Sequence, residues 1–314
     1  MAISELRVFY GSSHPELGER IVKHLGLKSG EIKLSRFSGG EIYARVAENI
    51  RGQSVVIIQT CTEHVNDDLI ELFIIIDAMK RASAKSIAVV IPHFGYARQD
   101  RKAASREPIS ARLIANLLET AGANRVVAMD LHSDQIQGLF NIPVDTLTSL
   151  PLLTSYIKEK NLKDMVVVAP DTGRAKVAKK LADRLGAELA ILHKVRGAHH
   201  QSEVTHVVGE VKGRTVIITD DMIDTAGTIT QGVGALRKEG CNEDVYVVAT
   251  HGIFSGPAVE RMEKANFKEV VVTDTLPIPK EKQFKGLKII SAAALLGDAI
   301  RRNYDNQSIT SLFD

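Results

Sequence analysis

Short runs of Val, Ile and Leu alternate along this chain with longer runs whose apolar residues recur at helical spacing. Several of the short runs are apolar at every position. A strand of that kind must be covered on both faces, which helices laid over a largely parallel sheet accomplish. Strands are expected at residues 6–10, 55–60, 87–92, 126–130, 166–170, 189–192, 216–220, 245–250 and 270–273. Helices are expected at 16–25, 109–120, 174–185 and 228–238. In the first of these, Leu17, Ile21, Val22 and Leu25 share one face, and the second follows Pro108. Gly26, Gly122, Gly186 and Gly240 stand just past the four helices, as a left-handed terminating residue does. The fold class is α/β.

The chain has 314 residues, which favours two domains. Its halves also look alike. Gly52-Gln53-Ser54-Val55-Val56-Ile57-Ile58 resembles Gly213-Arg214-Thr215-Val216-Ile217-Ile218, and Leu25-Gly26 resembles Leu185-Gly186, at an offset of about 160 residues. The expectation is a tandem duplication, with domains at 1–148 and 149–314 and the last residues packing back on the first. Each half has a non-parallel feature, which in the first reads as a hairpin or flap. Residues 32–37 and 41–46 flank Ser38-Gly39-Gly40, and 194–200 with 204–208 hold the matching place.

Composition removes several functions. Lys plus Arg is 40 against 38 Asp plus Glu, so no charge excess points to nucleic acid or an anionic membrane. Aromatic residues are 5% and Trp is absent, which leaves little for base stacking. The apolar run 72–76 is stopped by Asp77, far short of a membrane span. The N-terminus lacks the basic and apolar regions of a secretory signal. Cys61 and Cys241 have no partner at metal-ligand spacing and read as reduced thiols. A cytoplasmic protein is expected.

The most informative run is Val216-Ile217-Ile218-Thr219-Asp220-Asp221-Met222-Ile223-Asp224-Thr225-Ala226-Gly227-Thr228. A buried strand ends in two carboxylates, then a loop of small and hydroxyl residues opens a helix. Free N–H groups and the dipole at a helix start favour phosphate. Asp220 and Asp221 suit vicinal sugar hydroxyls, directly or through Mg²⁺. Together they fit a phosphorylated sugar held at both ends. The run resembles the phosphoribosyltransferase-type motif that binds 5-phosphoribosyl 1-pyrophosphate (PRPP). That resemblance implies two tandem phosphoribosyltransferase-like domains, each a mainly parallel sheet flanked by helices, with a flap hairpin.

Further segments resemble the ribose-phosphate pyrophosphokinase family, in its phosphate-activated class, over nearly the whole length. They are Arg36-Phe37-Ser38-Gly39-Gly40-Glu41, Asn66-Asp67-Asp68-Leu69-Ile70-Glu71-Leu72, Gly95-Tyr96-Ala97-Arg98-Gln99-Asp100-Arg101-Lys102, Ser105-Arg106-Glu107-Pro108-Ile109, Asp130-Leu131-His132 and Ser308-Ile309-Thr310-Ser311-Leu312-Phe313. The resemblance implies transfer of the β,γ-pyrophosphoryl group of Mg-ATP to the C1 hydroxyl of ribose 5-phosphate, giving PRPP and AMP for nucleotide biosynthesis. It implies ATP contacts at Phe37, Gly39, Gly40, Glu41, Arg98 and Gln99, with the flap supplied by a neighbouring subunit. It implies Mg²⁺ at His132 and Asp171, although Asp171 precedes a helix and reads equally as an N-cap. Lys194 and Arg196 become the catalytic cations, in a reaction that rests on positioning and electrostatics. Ribose 5-phosphate falls to Asp220, Asp221, Asp224, Thr225, Ala226, Gly227 and Thr228. No side chain stands out as a general base.

Three departures mark this chain. Gly39 stands where the family has an acid or amide. Val195 and Gly197 interrupt a basic run around Lys194 and Arg196. Thr172-Gly173-Arg174-Ala175 replaces a Gly-rich, apolar stretch, and Arg174 is expected to add a cation near the transferred pyrophosphate.

The resemblance also implies a regulatory anion site between subunits. Arg51, Arg81, Ser83, Arg101, Lys102, Ser105, Arg106, Ser308, Thr310 and Ser311 would take inorganic phosphate as activator and ADP as inhibitor. A homo-oligomer, a hexamer of dimers, is the family expectation. Two rivals compete. A nucleobase phosphoribosyltransferase leaves Arg98, Gln99 and His132 without a use. A non-catalytic associated protein would show losses around the catalytic loop, where Lys194 and Arg196 are retained.

Overall fold

The computed structural model describes residues 5–195 and 204–313, apart from the side chains of Lys194, Val195, Val204 and Thr205. The chain divides into two compact units. The first takes Met1–Thr148, Thr275–Pro277 and Ser291–Asp314; the second takes Ser149–Asp274 and Ile278–Ile290. The second unit therefore ends at Ile290 instead of running to 314.

The first unit holds β1 (Leu6–Tyr10), α1 (Pro15–His24), β2 (Ile32–Arg36), β3 (Ile42–Val46), β4 (Ser54–Ile58), α2 (Val65–Arg81), β5 (Ser86–Ile91), α3 (Ser110–Ala121), β6 (Arg125–Met129) and β7 (Val144–Leu147). Its main sheet has the order β1-β4-β5-β6-β7, and every neighbouring pair is parallel. Successive strand residues face opposite ways. Val55, Ile57, Val89 and Ile91 meet Leu72 and Ile76 of α2 and Leu118 of α3 in one core. On such positions each fully buried aliphatic side chain contributes about 1.5–3 kcal/mol.

β2 and β3 form a separate antiparallel pair. Their inward residues Ile32, Leu34, Ala44 and Val46 pack on the α2 side of that core. This alternation anchors the flap, while Phe37 at its tip is 57% exposed.

The second unit holds α4 (Leu150–Glu159), β8 (Met165–Ala169), α5 (Ala175–Leu185), β9 (Glu188–Val195), β10 (Val204–Val208), β11 (Thr215–Ile223), α6 (Gly227–Lys238), β12 (Val245–Gly252), α7 (Ala258–Ala265), β13 (Glu269–Thr273) and β14 (Leu287–Ile290). Its sheet runs β10-β9-β8-β11-β12-β13-β14. Val216 and Ile218 face a core with Ile229 and Val233 of α6, whereas Ile217 faces Leu153 of α4 and Leu181 of α5. Helices on both faces explain why these strands are apolar throughout.

The non-parallel feature expected in the second half is present as an antiparallel pair, with β9 starting earlier, at Glu188. β9 leaves the main sheet parallel to β8, and its end pairs antiparallel with β10. The arm continues the sheet, unlike the detached β2–β3 pair, because β9 keeps its hydrogen-bonded neighbour before β10 joins.

The final helix, α8 (Ala293–Tyr304), belongs to the first unit. It packs on α1. Arg301 donates to Leu25 O at 2.8 Å, and His24 Nε2 lies 2.8 Å from Asp298 Oδ1. Asn303 donates to Asp145 Oδ2 at 2.9 Å, the carboxylate also held by Arg125.

Candidate active site

The acid pair of the second unit lies inside β11, since pairing continues beyond it through Met222–His251 and Ile223–Gly252. The expected strand end at Asp220 is thus moved to Ile223. Asp220 turns back on its own chain: its Oδ1 accepts from Asp221 N at 2.8 Å. This brings both carboxylates to one guanidinium. Arg174 Nε lies 3.4 Å from Asp220 Oδ1, and Arg174 Nη2 pairs directly with Asp221 Oδ2. The three side chains are largely buried. Burial, then the hydrogen bond and charge of Asp221, push the Asp220 carboxyl well above its ordinary range, and Arg174 opposes the shift only in part.

Arg174 reaches the acids because a short 3-10 turn, Thr172–Arg174, precedes α5. Asp171 caps that turn, accepting Arg174 N at 3.0 Å. The N-cap reading of Asp171 is therefore realised, and its carboxylate remains exposed. Arg174, expected to add a cation near a transferred pyrophosphate, has its charge engaged by Asp220 and Asp221.

After β11 the chain turns through Asp224 and Thr225 into α6. Ala226 takes the left-handed conformation at φ 59° immediately before the helix. Ala226, as the N-cap residue, brings no side-chain cap of its own. The first-turn N–H groups of α6 are the kind that bind phosphate. The loop is braced from α7 and β12. Arg261 Nη1 donates to Thr225 O at 2.9 Å, and Ser255 N donates to Asp224 O at 3.0 Å. Arg261 has no motif around it, and α7 itself was not among the expected helices. A cation one helix further on left no local signal.

In the first unit, candidate residues gather beyond the carboxyl ends of β5 and β6, where open parallel sheets bind ligands. Arg98 and Gln99 sit exposed on the 3-10 turn Ala97–Gln99. The Ser110 hydroxyl donates to Gln99 Oε1 at 2.5 Å. His132 follows β6, after Asp130 in a left-handed conformation at φ 37°. The neighbouring Ser133 hydroxyl donates to Asp100, tying the two loops together. Ser110, Asp100 and Ser133 are supporting residues that sequence reading missed, because their partners are distant or unmarked by spacing.

The flap shares a support with these loops. Arg36 at its base pairs with Asp67 at 3.2 Å, and the adjacent Asn66 accepts from the Tyr96 hydroxyl. The start of α2 thus holds both. At the flap turn, Phe37 N donates to Glu41 O at 2.9 Å and Gly40 N to Phe37 O at 2.8 Å. Phe37 meets Tyr43 edge to face with ring centres 5.7 Å apart. A side chain added at Gly39 would meet open space.

Lys194 stands on β9 with Thr205 as its backbone partner. Its side chain and all of Arg196 lie outside the described residues.

The expected regulatory residues fall into three groups. Arg101, Lys102, Ser105 and Arg106 occupy one exposed loop, closed by Ala103 N and Ala104 N donating to Glu107 Oε2 at 2.8 Å. Arg51 and Ser83 meet near the Gly52 N to Ser83 O bond of 2.9 Å, while Arg81 pairs with Asp77 at 2.6 Å. Ser308 O and Ser311 Oγ accept from Arg302 at 2.8 and 2.6 Å, with Thr310 beside Ser308.

Two α/β units in tandem, with an acid pair leading into a helix start, define an architecture of the phosphoribosyltransferase-like class. Two family models match the chain: the N-terminal domain of ribose phosphate pyrophosphokinase matches residues 6–122, and the phosphoribosyl synthetase-associated domain matches 196–314. The chain belongs to the ribose-phosphate pyrophosphokinase family. It is 49% identical over 313 residues to the ribose-phosphate pyrophosphokinase of Fusobacterium nucleatum, covering 99% of each. It is 50% identical over 308 residues to that of Bacillus subtilis, covering 98% of this chain and 97% of the relative. A crystal structure of phosphoribosylpyrophosphate synthetase from Mycobacterium smegmatis aligns with TM-score 0.91 and 47% identity, covering 96% and 99% of the two chains.

Proposed function

We propose that the second unit binds ribose 5-phosphate and the first binds ATP, in the pyrophosphoryl transfer that gives PRPP and AMP. The observation that carries this reading is the run from Asp220 to Thr228, where vicinal carboxylates lead into the α6 start. Asp220 and Asp221 accept the pentose hydroxyls. Asp224, Thr225, Ala226, Gly227 and Thr228 wrap the 5-phosphate, whose charge is stabilised by the helix N–H groups. This orients the C1 hydroxyl as the attacking group.

In the first unit, Arg98 binds polyphosphate and Gln99, held by Ser110, reads the nucleotide. Phe37, Gly39, Gly40 and Glu41 of the flap contribute to the same substrate. Lys194 and Arg196 offset the charge that develops on the transferring group and on departing AMP.

Mg²⁺ accompanies ATP in this reading. Among the described residues no cluster of three or more His, Cys, Asp and Glu side chains forms a protein cage. The exposed Asp171 carboxylate fits the alternative, in which Mg²⁺ takes one or two protein ligands with substrate oxygens and water. Asp171 and His132 would hold it. When bound, it would neutralise phosphate charge on the donor.

The assembly is read as a homo-oligomer, a hexamer of dimers. Ile109, Leu113 and Leu117 recur at helical spacing along α3 and remain exposed, an apolar stripe suited to a second copy of the chain. Inorganic phosphate as activator and ADP as inhibitor would act on the three regulatory groups. Joint Ser105→Ala and Arg106→Ala substitution should blunt both titrations. Cytoplasmic placement fits a nucleotide-biosynthetic enzyme; among the described residues no helix is long and apolar enough to cross a membrane.

The test is a product assay by ³¹P NMR with ribose 5-phosphate, Mg-ATP and inorganic phosphate. AMP rising in step with PRPP supports the reading. ADP formed instead means γ-phosphoryl transfer and overturns it.

A further inference from the structure

We propose that Arg174 is the built-in countercation of the pentose acids, holding Asp220 and Asp221 ready for sugar hydroxyls without a divalent cation at that pair. The inference rests on the assignment of those acids to ribose 5-phosphate and adds how they are kept in place.

Three observations carry it. First, one guanidinium spans both carboxylates, with Nε at 3.4 Å from Asp220 and Nη2 paired to Asp221. Two like charges side by side in a largely buried place need a cation. Arg supplies it in a planar fork that fixes carboxylate orientation. Second, the turn is shaped to deliver this side chain. Asp171 Oδ1 accepts Arg174 N at 3.0 Å, and a Cβ added at Gly173 would lie 3.1 Å from that oxygen. The position before Arg174 is thus best left without a side chain. Third, the grip is concentrated on one atom. Asp220 Oδ1 takes both Asp221 N and Arg174, with the Asp221 carboxyl hydrogen-bonded beside it.

A divalent cation bridging the acids and the sugar would perform the same two tasks, neutralising charge and fixing the carboxylates. Arg174 performs them permanently, so pentose affinity is separated from metal concentration. The donor phosphates keep their own need for Mg²⁺. Arg174 is a positioning residue: it acts on the sugar through Asp220 and Asp221.

The experiment is calorimetric titration of ribose 5-phosphate into the full chain, in EDTA and in excess MgCl₂, without nucleotide. Wild-type affinity is expected to be the same in both. Arg174→Gln should weaken binding in EDTA by about tenfold, the size of losing one charged hydrogen-bond partner, and MgCl₂ should restore it. Arg174→Lys, which keeps the charge but not the fork, should stay insensitive to EDTA. Wild-type binding that collapses in EDTA overturns the inference with no variant needed, as does Arg174→Gln binding that matches wild type in EDTA. Both results leave the pentose assignment standing. Wild type that binds no ribose 5-phosphate in either buffer overturns the pentose assignment together with the inference.

Discussion

Ser110, the first residue of α3, holds the amide of Gln99 through a hydroxyl-to-carbonyl hydrogen bond of 2.5 Å. The donor is buried and its partner is exposed. A residue of the helix frame therefore orients a residue of the loop proposed to bind ATP. Ser110→Ala removes one hydrogen bond, about 1 kcal/mol. KM for ATP should rise roughly fivefold, with KM for ribose 5-phosphate unchanged. Steady-state kinetics with each substrate varied will check this.

Arg261 braces the loop proposed to hold ribose 5-phosphate. Its guanidinium holds Thr225 O at 2.9 Å from outside that loop. Arg261→Ala should raise KM for ribose 5-phosphate by roughly fivefold, again one hydrogen bond of about 1 kcal/mol. KM for ATP should not move. Equal effects on both constants would point to general unfolding, which a thermal melt detects.

Asp220 makes binding and stability respond to pH in opposite senses. Burial and the neighbouring Asp221 raise its carboxyl well above the ordinary value of 3.8. The folded chain thus keeps a proton that the unfolded chain releases. The stabilisation from that proton is full below pH 3.8 and is lost as pH rises through the raised value. In the proposed function pentose hydroxyls meet the ionised carboxylate, so ribose 5-phosphate affinity should increase as pH rises through the same window. Calorimetric titrations across that window should show the trend, and Asp220→Asn should flatten it.

The thiols should differ in reactivity. Cys61 is fully buried, and burial with the charge of Asp68 pushes its thiol up to about 12. Thiolate is the reactive form. Cys241 is only partly buried, with a smaller rise from the same cause. Ellman's reagent on the native protein should therefore titrate Cys241 and spare Cys61. Both should react in denaturant. Rapid reaction of Cys61 in the native state would contradict this packing.

The legible parts of the sequence were those with local signals. Each of the nine expected strands appears, because apolar runs bounded by turn residues need no distant partner to be recognised. The strand, turn and helix around Asp220–Thr228 were legible in order, though the strand runs on to Ile223. α2 was not read as a helix, although it is the first unit's longest. Its Leu69, Leu72, Ile75, Ile76 and Met79 are buried, yet Ile70, Phe73 and Ile74 fall between them and erase the helical period. β14 was missed for the reverse reason: Leu287–Ile290 is short and half exposed. The role of Arg174 was unreadable for a third reason. Its partners lie on a strand far along the chain, and only β8–β11 pairing brings that strand beside the Arg174 turn.

The assignment of α8 to the first unit also orders events during synthesis. A chain emerging from the ribosome offers β1 and α1 first, but the helix that covers α1 comes from Ser291–Asp314. The half that begins translation is thus the half that waits. The second unit has nearly all of its sequence in hand by Ile290 and can close earlier. Until Arg301 finds Leu25 O and Asn303 finds Asp145, one flank of the older half stays open. A nonsense codon just after Ile290 would therefore damage the earlier-made unit and leave the Asp220–Thr228 loop intact.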